Sequence, residues 1–158
     1  MDLTQTTAGS TVHLLVETEG ALFSTGDCHA AQGDGEVCVT GVEAPMFVTA
    51  RFDVRTDLDV DRPELATEPF TATGRDEPAY ATAGVDSDPM AATRHVISRL
   101  HEHRDLTRGE ASLLCSVAMD LEISQVVDAP NWTVTAFVPE SVFPGDVGGR
   151  DRNVTNNR

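Results

Sequence analysis

The sequence predicts an α+β fold that is mainly β, in which antiparallel strands precede and follow a helical hairpin. Three observations lead to this prediction. Residues 11–85 hold short segments rich in β-branched side chains, and residues 88–122 change to helical periodicity. Residues 123–139 then return to strand-like alternation, so the helical hairpin is inserted before the last two strands.

The first part of the chain predicts short strands separated by glycine, proline and acidic residues. They cover residues 11–17, 36–44, 46–55, 65–74 and 79–85. The third segment has the clearest pattern, because Val48, Phe52 and Val54 alternate with polar side chains. This alternation predicts a half-buried strand that pairs antiparallel with its neighbour.

Capping residues predict two helices after these strands. Asp88 and Pro89 are typical of an N-cap and a first helical position, so the first helix begins there and runs to about Arg104. Thr107 and Glu110 have the spacing of a capping box, which begins the second helix. The predicted apolar stripe of that helix consists of Leu114, Val117, Ala118 and Leu121. Because the connection is short, we expect the helices to form a hairpin against the sheet.

The last part of the chain predicts two strands and a tail. The strands cover residues 123–128 and 132–139, with a turn between them. Residues 144–158 carry glycine, asparagine and charge with almost nothing to bury, so we expect a disordered tail. Residues 1–143 are therefore assigned to one domain, a size that can bury a real core.

The charge balance excludes several classes of partner. The formal net charge is −15 at pH 7, and all 11 basic residues are arginine. Such a field repels nucleic acids and anionic membranes, so neither is expected as a partner. Abundant carboxylates without lysine are typical of proteins that work in concentrated salt, where charges are screened within about 3 Å at 1 M. Without a long apolar run or a signal-like start, the chain is expected to be cytoplasmic.

The three cysteines are expected to be free thiols, because their number is odd and no signal-like segment precedes them. Cys28 and Cys38 each neighbour alternating apolar positions. We therefore expect both to be small core residues.

A glycine-rich stretch, residues 20–41, carries the residues best suited to chemistry. Asp27 and His29 are two positions apart, so on an extended backbone their side chains point to the same side. A carboxylate oxygen and an imidazole nitrogen suit a divalent metal such as zinc. The alternative is structural: Asp27 caps a turn and His29 is a hydrogen-bonded interior residue.

Glycines after this pair allow the chain to reverse direction. Gly33 and Gly35 permit a tight turn, which could return Asp34 or Glu36 to the side of His29. Glu36 could then act as a general base toward an activated water. The same Gly-Asp-Gly sequence is also ordinary hairpin chemistry, so the spacing alone leaves both interpretations open.

The remaining polar residues carry weaker signals. His101 and His103 cannot share a helical face, which predicts that both are exposed to solvent. Around the junction from helix to strand there is a polar run of Asp120, Gln125, Asp128 and Asn131. It is typical of turns and caps, although residues 128–131 could also line a pocket.

Four segments of the chain resemble the acetamidase/formamidase family of amide hydrolases. The most characteristic is residues 20–43, which is similar to the family's stretch Gly-Asp-x-His-Ala-x-Gln-Gly-x-Gly-Glu. Residues 1–16 resemble a family segment that leads through Gly-Ser into a strand, and residues 88–100 and 106–143 resemble its C-terminal helices and strands. The similarity extends from about residue 2 to residue 143 and corresponds to the family's C-terminal half.

This resemblance implies hydrolysis of short linear amides, such as formamide or acetamide, to a carboxylate and ammonia. It also implies a bound divalent metal, with zinc as the first choice. Asp27 and His29 would lie at the metal, Glu36 would be a ligand or the base, and Gln32 would bind substrate. Because family members are about twice as long, we expect a homo-oligomer or association with the missing N-terminal half. The alternative is a non-catalytic subunit, or a truncated product, that completes a partner chain.

Overall fold

The computed structural model describes residues 2–69, 76–86, 90–127 and 129–143. Within them the strands are β1 (Thr11–His13), β2 (His29–Ala31), β3 (Val42–Glu43), β4 (Glu64–Ala66), β5 (Ala79–Asp86), β6 (Asp120–Gln125) and β7 (Trp132–Pro139). The helices are α1 (Ala91–His103) and α2 (Arg108–Ala118), and Glu140–Val142 forms a 3₁₀ turn. The order confirms the predicted α+β class, with a helical hairpin before the last two strands.

Two antiparallel sheets are present in the described residues. The larger has the strand order β1-β4-β5-β7-β6, and the smaller consists of β2 and β3. The pairing of β5 with β7 is the longest, from Ala79 opposite Pro139 to Asp86 opposite Trp132. β7 forms along its full predicted length because its β-branched and aromatic side chains fit a pleated surface that is covered on both faces.

The larger sheet buries apolar side chains on both of its faces. On one face the helices cover β7, and the buried set is Ala92, Val96, Leu100, Ala111, Cys115, Val134, Ala136 and Val138. The opposite face buries Leu3, Leu65, Ala79, Ala81, Ala83 and Phe137. Strand alternation explains this division, since successive residues of β7 point to opposite faces.

A buried ionic cluster joins α1 to the sheet at β4. Arg99 Nε lies 2.7 Å from Glu64 Oε1, and its Nη2 donates to Glu64 Oε2 at 3.2 Å. His95 lies between two carboxylates, 3.2 Å from Glu64 Oε1 and 3.1 Å from Asp61 Oδ1. Burial alone would raise the pKa of Glu64, but the hydrogen bond with His95 and the charge of Arg99 hold it below its ordinary value.

The capping box of α2 is confirmed, while the helical boundaries differ from prediction. Glu110 N donates to Thr107 Oγ1 at 3.2 Å, and Thr107 N donates to Glu110 Oε2 at 2.8 Å. The helix ends at Ala118, so Leu121 belongs to β6 and Val117 is exposed, which makes the predicted stripe wrong at both positions. Cys115 lies in the core instead.

The prediction was least accurate between β1 and β4. Residues 44–63 form neither helix nor strand, so the strand predicted at residues 46–55 is wrong. Val48, Phe52 and Val54, whose alternation defines the predicted buried face, are all exposed, and Phe47 is exposed as well. The strands predicted at residues 11–17 and 36–44 are also shorter, at Thr11–His13 and Val42–Glu43.

Smaller predictions have mixed outcomes. Cys38 is exposed and Cys28 is half-buried, so the prediction that both are core residues is wrong for Cys38. His101 and His103 are exposed, as predicted. The predicted cap at residues 88–89, Asp128 and the predicted tail at residues 144–158 lie outside the described residues.

Candidate active site

The smaller sheet brings a histidine and a glutamate together. In the antiparallel pair of β2 and β3, His29 lies directly opposite Glu43. Opposed residues point to the same face of a sheet, and His29 Nε2 lies 2.8 Å from Glu43 Oε1. Thr40 Oγ1 donates to the same carboxylate oxygen at 2.7 Å, which fixes its orientation toward the imidazole.

Asp27 completes a set of three possible metal ligands. Its backbone is not extended, as the prediction assumed, but adopts a φ of +57°. The side chain still reaches His29, with Oδ1 at 3.9 Å from Nε2. Each of Asp27, His29 and Glu43 offers one possible ligand atom, and these three atoms lie within 4.8 Å of one another.

Close packing around His29 requires a glycine at position 41. A Cβ atom on Gly41 would lie 2.8 Å from Ala31 O and 2.8 Å from His29 Cδ2. Real Cβ atoms do not approach other atoms so closely, and one of the two neighbours is backbone. Gly41 therefore allows the imidazole to lie against the hairpin backbone.

Glu36 lies on the same side as His29, as predicted, but it is not in a strand. It follows Gly35, and both residues have positive φ, at +43° and +89°. The turn is closed by a bond of 3.2 Å from Glu36 N to Gly33 O. Glu36 Oε1 lies 3.8 Å from His29 Nε2, and the carboxylate is almost completely buried.

Backbone bonds connect this loop to the larger sheet. Gly35 N donates to Ser124 O at 3.1 Å, and Val126 N donates to Gly35 O at 3.0 Å. Between them, Gln125 of β6 donates from Nε2 to Glu36 Oε2 at 2.7 Å. The candidate site is thus anchored to the sheet at the position of Glu36.

Electrostatic interactions within the cluster shift three pKa values. The negative charge of Glu43 raises the pKa of Asp27. The hydrogen bond from Thr40 lowers the pKa of Glu43, and His29 adds to this effect. Burial would lower the pKa of His29, but its hydrogen bond with Glu43 and the surrounding carboxylates raise it overall. These shifts are typical of an imidazole surrounded by carboxylates, an arrangement that favours a cation.

The structure brings together most of the predicted site residues. Asp27, His29 and Glu36 lie in one cluster, whereas Asp34 accepts a hydrogen bond from Thr4 at 3.3 Å. Gln32 is half-buried, and its Nε2 is buried without a hydrogen-bond partner in the described structure.

Sequence reasoning missed Glu43 and the contact between Gln125 and Glu36. Glu43 lies 14 residues after His29, and only the pairing register of β2 with β3 brings them together. A prediction of that hairpin would have revealed the pair. No local signal connects Gln125 to Glu36, because they are 89 residues apart.

Comparison with known proteins provides a family for this arrangement. The model of the Acetamidase/Formamidase family matches residues 1–145. This chain belongs to that family. The formamidase of Methylophilus methylotrophus is 26% identical over 162 residues, which cover 92% of this chain and 40% of the relative. The family resemblance inferred from the sequence is therefore confirmed.

Solved structures of family members share the fold. The acetamidase of Bacillus halodurans is 29% identical, with a TM-score of 0.62 over 85% of this chain and 44% of the relative. A predicted acetamidase/formamidase of Thermoanaerobacter tengcongensis is 28% identical, with a TM-score of 0.65 over 85% and 42% of the two chains. The chain thus spans less than half the length of the family members that it matches.

Proposed function

We propose that this chain carries the metal-binding part of a hydrolase that converts short linear amides to a carboxylate and ammonia. The observation that supports the proposal is the cluster of Asp27, His29 and Glu43, with the buried carboxylate of Glu36 beside it. Formamide and acetamide are the substrates we propose, because the matched relatives are a formamidase and acetamidases.

The donor set of the cluster suits a divalent cation, for which zinc is our first choice. Asp27 and Glu43 offer carboxylate oxygens and His29 offers an imidazole nitrogen, a combination typical of catalytic zinc sites. A cation held by these residues would supply Lewis-acid polarisation of the substrate carbonyl and would acidify a water molecule. This ligand set adds Glu43 to Asp27 and His29, the metal ligands of the sequence-based hypothesis, which left Glu36 as a ligand or the base.

Glu36 is the general base in this proposal. Its Oε2 accepts from Gln125, which leaves Oε1 facing His29. Oε1 takes a proton from the attacking water as the water oxygen bonds to the amide carbon, and the same oxygen then passes that proton to the leaving nitrogen. The carbon–nitrogen bond breaks and ammonia leaves. The hydroxyl proton that remains on the new carboxyl group then passes to ammonia, so the products at neutral pH are a carboxylate and an ammonium ion.

Gln32 is the substrate-binding residue in this proposal. Its Nε2 lacks a partner among the described residues although it is buried, which is costly unless a ligand accepts from it. The carbonyl oxygen of an amide is an acceptor of the required kind. A donor aimed at this oxygen would also stabilise the negative charge that develops there.

Ammonia release from formamide and acetamide tests this proposal, in molar salt with added zinc. The assay compares the chain with a version extended by the preceding codons of its gene. The Glu36→Gln substitution is then made in whichever of these two proteins releases ammonia. Glu36→Gln should retain zinc and lose about 100-fold or more in kcat, because a general base contributes about that much. Asp34→Asn is the matched control, since Asp34 lies in the same loop and contacts Thr4. Full activity of Glu36→Gln, or no release by either form, would contradict the proposal.

A second proposal concerns association, and its observation is a set of exposed apolar side chains in the part of the chain that precedes β4. We name it the 14–54 surface, and it consists of Leu14, Leu15, Val16, Leu22, Phe23, Met46, Phe47, Val48, Phe52 and Val54. Phe23 and Phe52 pack edge to face, with ring centroids 4.9 Å apart. So many large apolar side chains exposed in one part of a chain are typical of a binding face.

The occupant that we propose is the part of the family fold that this chain does not match, supplied by a separate or longer polypeptide. The solved relatives carry more than half of their length beyond the matched region. This chain could then act as a non-catalytic subunit that completes a partner. Sedimentation in molar salt tests association. A folded chain that stays monomeric and does not bind a longer partner would contradict the proposal. A homo-oligomer would show that the occupant of the surface is a second copy of this chain.

Conditions in the cell are also part of the proposal. Neither described helix is long and apolar enough to cross a membrane. We place the protein in a salt-rich cytoplasm, because its net charge of −15 without lysine favours a highly screened environment. Nucleic acids remain unsuitable partners, since this field repels phosphate.

A further inference from the structure

Gln125 uses its whole side-chain amide to hold groups around the candidate site. Its Nε2 donates to Glu36 Oε2 at 2.7 Å and to Asp2 Oδ2 at 2.5 Å. Its Oε1 accepts from Thr133 Oγ1 and from Asp2 N, each at 3.2 Å. The amide is 3% exposed, so these four bonds satisfy two donors and two acceptor positions away from water.

These partners allow only one orientation of the amide. If the amide were reversed, its oxygen would face two carboxylates and its NH₂ group would face the backbone N–H of Asp2. These contacts would place like groups together in a buried setting, which is costly, whereas the Thr133 hydroxyl can donate or accept. Gln125 therefore presents donors to Glu36, and its orientation follows from the carboxylate and the backbone N–H of Asp2.

The bond to Glu36 acts on the side chain, because other contacts hold the loop backbone. The bonds of Gly35 to Ser124 and Val126 fix the backbone of the loop against β6. Without the amide donor, the carboxylate of Glu36 would be free to rotate while the loop stayed in place. The structure thus separates the position of the loop from the orientation of the carboxylate.

We propose that Gln125 is a positioning residue that holds Glu36 Oε2 away from the bound cation and keeps Oε1 directed at the cluster. This proposal rests on the proposed function, in which Glu36 is a base and not a ligand. As held by Gln125, Glu36 Oε1 lies 3.8 Å from His29 Nε2 but outside the set of ligand atoms that lie within 4.8 Å of one another. A freed carboxylate could turn further toward this set and join it as a fourth protein ligand. Gln125 prevents this and so preserves a basic oxygen for proton transfer.

Cobalt(II) substitution tests the role of Gln125 without an activity assay. Cobalt in a site with few ligands has a strong visible absorption band, and the band weakens when another ligand is added. We expect Gln125→Leu to bind cobalt with a weaker band than the wild-type chain. Glu36→Gln alone should keep the wild-type band, and the double variant Gln125→Leu/Glu36→Gln should regain it, because no carboxylate remains at position 36 to bind.

A second variant covers the case in which Gln125→Leu does not fold. Thr133→Val keeps the side-chain shape and removes one bond that holds the amide, so it should weaken the band in the same direction and by less. Unfolding curves for each variant identify loss of structure. A wild-type band that is unchanged in folded Gln125→Leu or Thr133→Val would overturn the role of Gln125 and leave the metal proposal intact. Failure of the wild-type chain to bind cobalt would overturn the metal proposal, and this one with it.

Discussion

The buried pair of Glu64 and Arg99 should account for a large share of the stability of the fold. Glu64 is 2% exposed and Arg99 is 7% exposed. Two of the guanidinium nitrogens of Arg99, Nε and Nη2, lie close to the carboxylate oxygens of Glu64. The substitution Glu64→Gln preserves the shape of the side chain and removes its charge. Arg99 then loses its buried counter-charge, while the exposed carboxylate of Glu102, at 3.6 Å, remains.

We expect Glu64→Gln to lower the free energy of unfolding by about 3 kcal/mol, the lower end of the range for breaking a buried ion pair. For a domain of this size, that corresponds to a fall of roughly 6–12 °C in Tm. Circular dichroism during heating and urea titration in molar salt measures both quantities. Asp57→Asn is the matched control, because Asp57 pairs with Arg55 at 2.7 Å on the surface, where ion pairs contribute little.

The pH dependence of the same variant tests the cause. The pKa of Glu64 is lower in the folded chain than its ordinary value of 4.5. Its stabilisation is therefore complete above pH 4.5 and is lost as the pH falls through the folded pKa. The difference in Tm between the wild-type chain and Glu64→Gln should be constant near pH 7 and should close in acid. A difference that is within error of the Asp57→Asn control at pH 7, or that widens in acid, would refute the reasoning.

Three further predictions concern the candidate site and the surface charge. Gly41→Ala should lower the zinc affinity measured by titration calorimetry by at least about 10-fold, because the added Cβ displaces His29. The control Gly33→Ala should not lower it, since Gly33 has open space around it. Thr40→Val should lower zinc affinity by about 10–100-fold, since it removes the bond that orients Glu43, and equal affinity would mean that Glu43 is not a ligand. With a net charge of −15, the chain should lose its circular dichroism signal as the salt concentration falls from 1 M to about 0.1 M, because the screening length then rises to about 10 Å. A full signal at low salt would contradict the halophilic interpretation.

Elements with local signals were predictable from the sequence. The capping box of Thr107 and Glu110 requires only residues three apart, and both reciprocal bonds form. β7 was predicted with its correct bounds, because alternation specifies a face and both faces of this strand are covered. The segment at residues 46–55 has equally clear alternation but forms no strand. Alternation defines which side chains share a face, whereas a strand also needs a hydrogen-bonded neighbour.

In the candidate site, too, the residues with a local sequence signal were predicted and the residue that depends on strand pairing was not. The prediction that Asp27 and His29 lie close together is confirmed, although it assumed an extended backbone and Asp27 has a φ of +57°. The glycines around residue 34 correctly indicated the return of Glu36. Glu43 depends on the register between two strands of at most three residues each. Such short strands carry too few residues for a pattern, so the position of Glu43 beside His29 could not be predicted from the sequence.

The candidate site and the core of the fold are held by different kinds of interaction. The core consists of the apolar side chains buried on the two faces of the larger sheet, and its described members include no residue of β2 or β3. The β2–β3 hairpin buries little apolar surface and is joined to β6 through Gly35 and the amide of Gln125. Since the hydrophobic effect dominates folding energies and polar contacts contribute less, the sheet and helices should remain folded under conditions that release the hairpin. A partner on the 14–54 surface would bury its exposed apolar side chains and would stabilise the folded chain by binding to it.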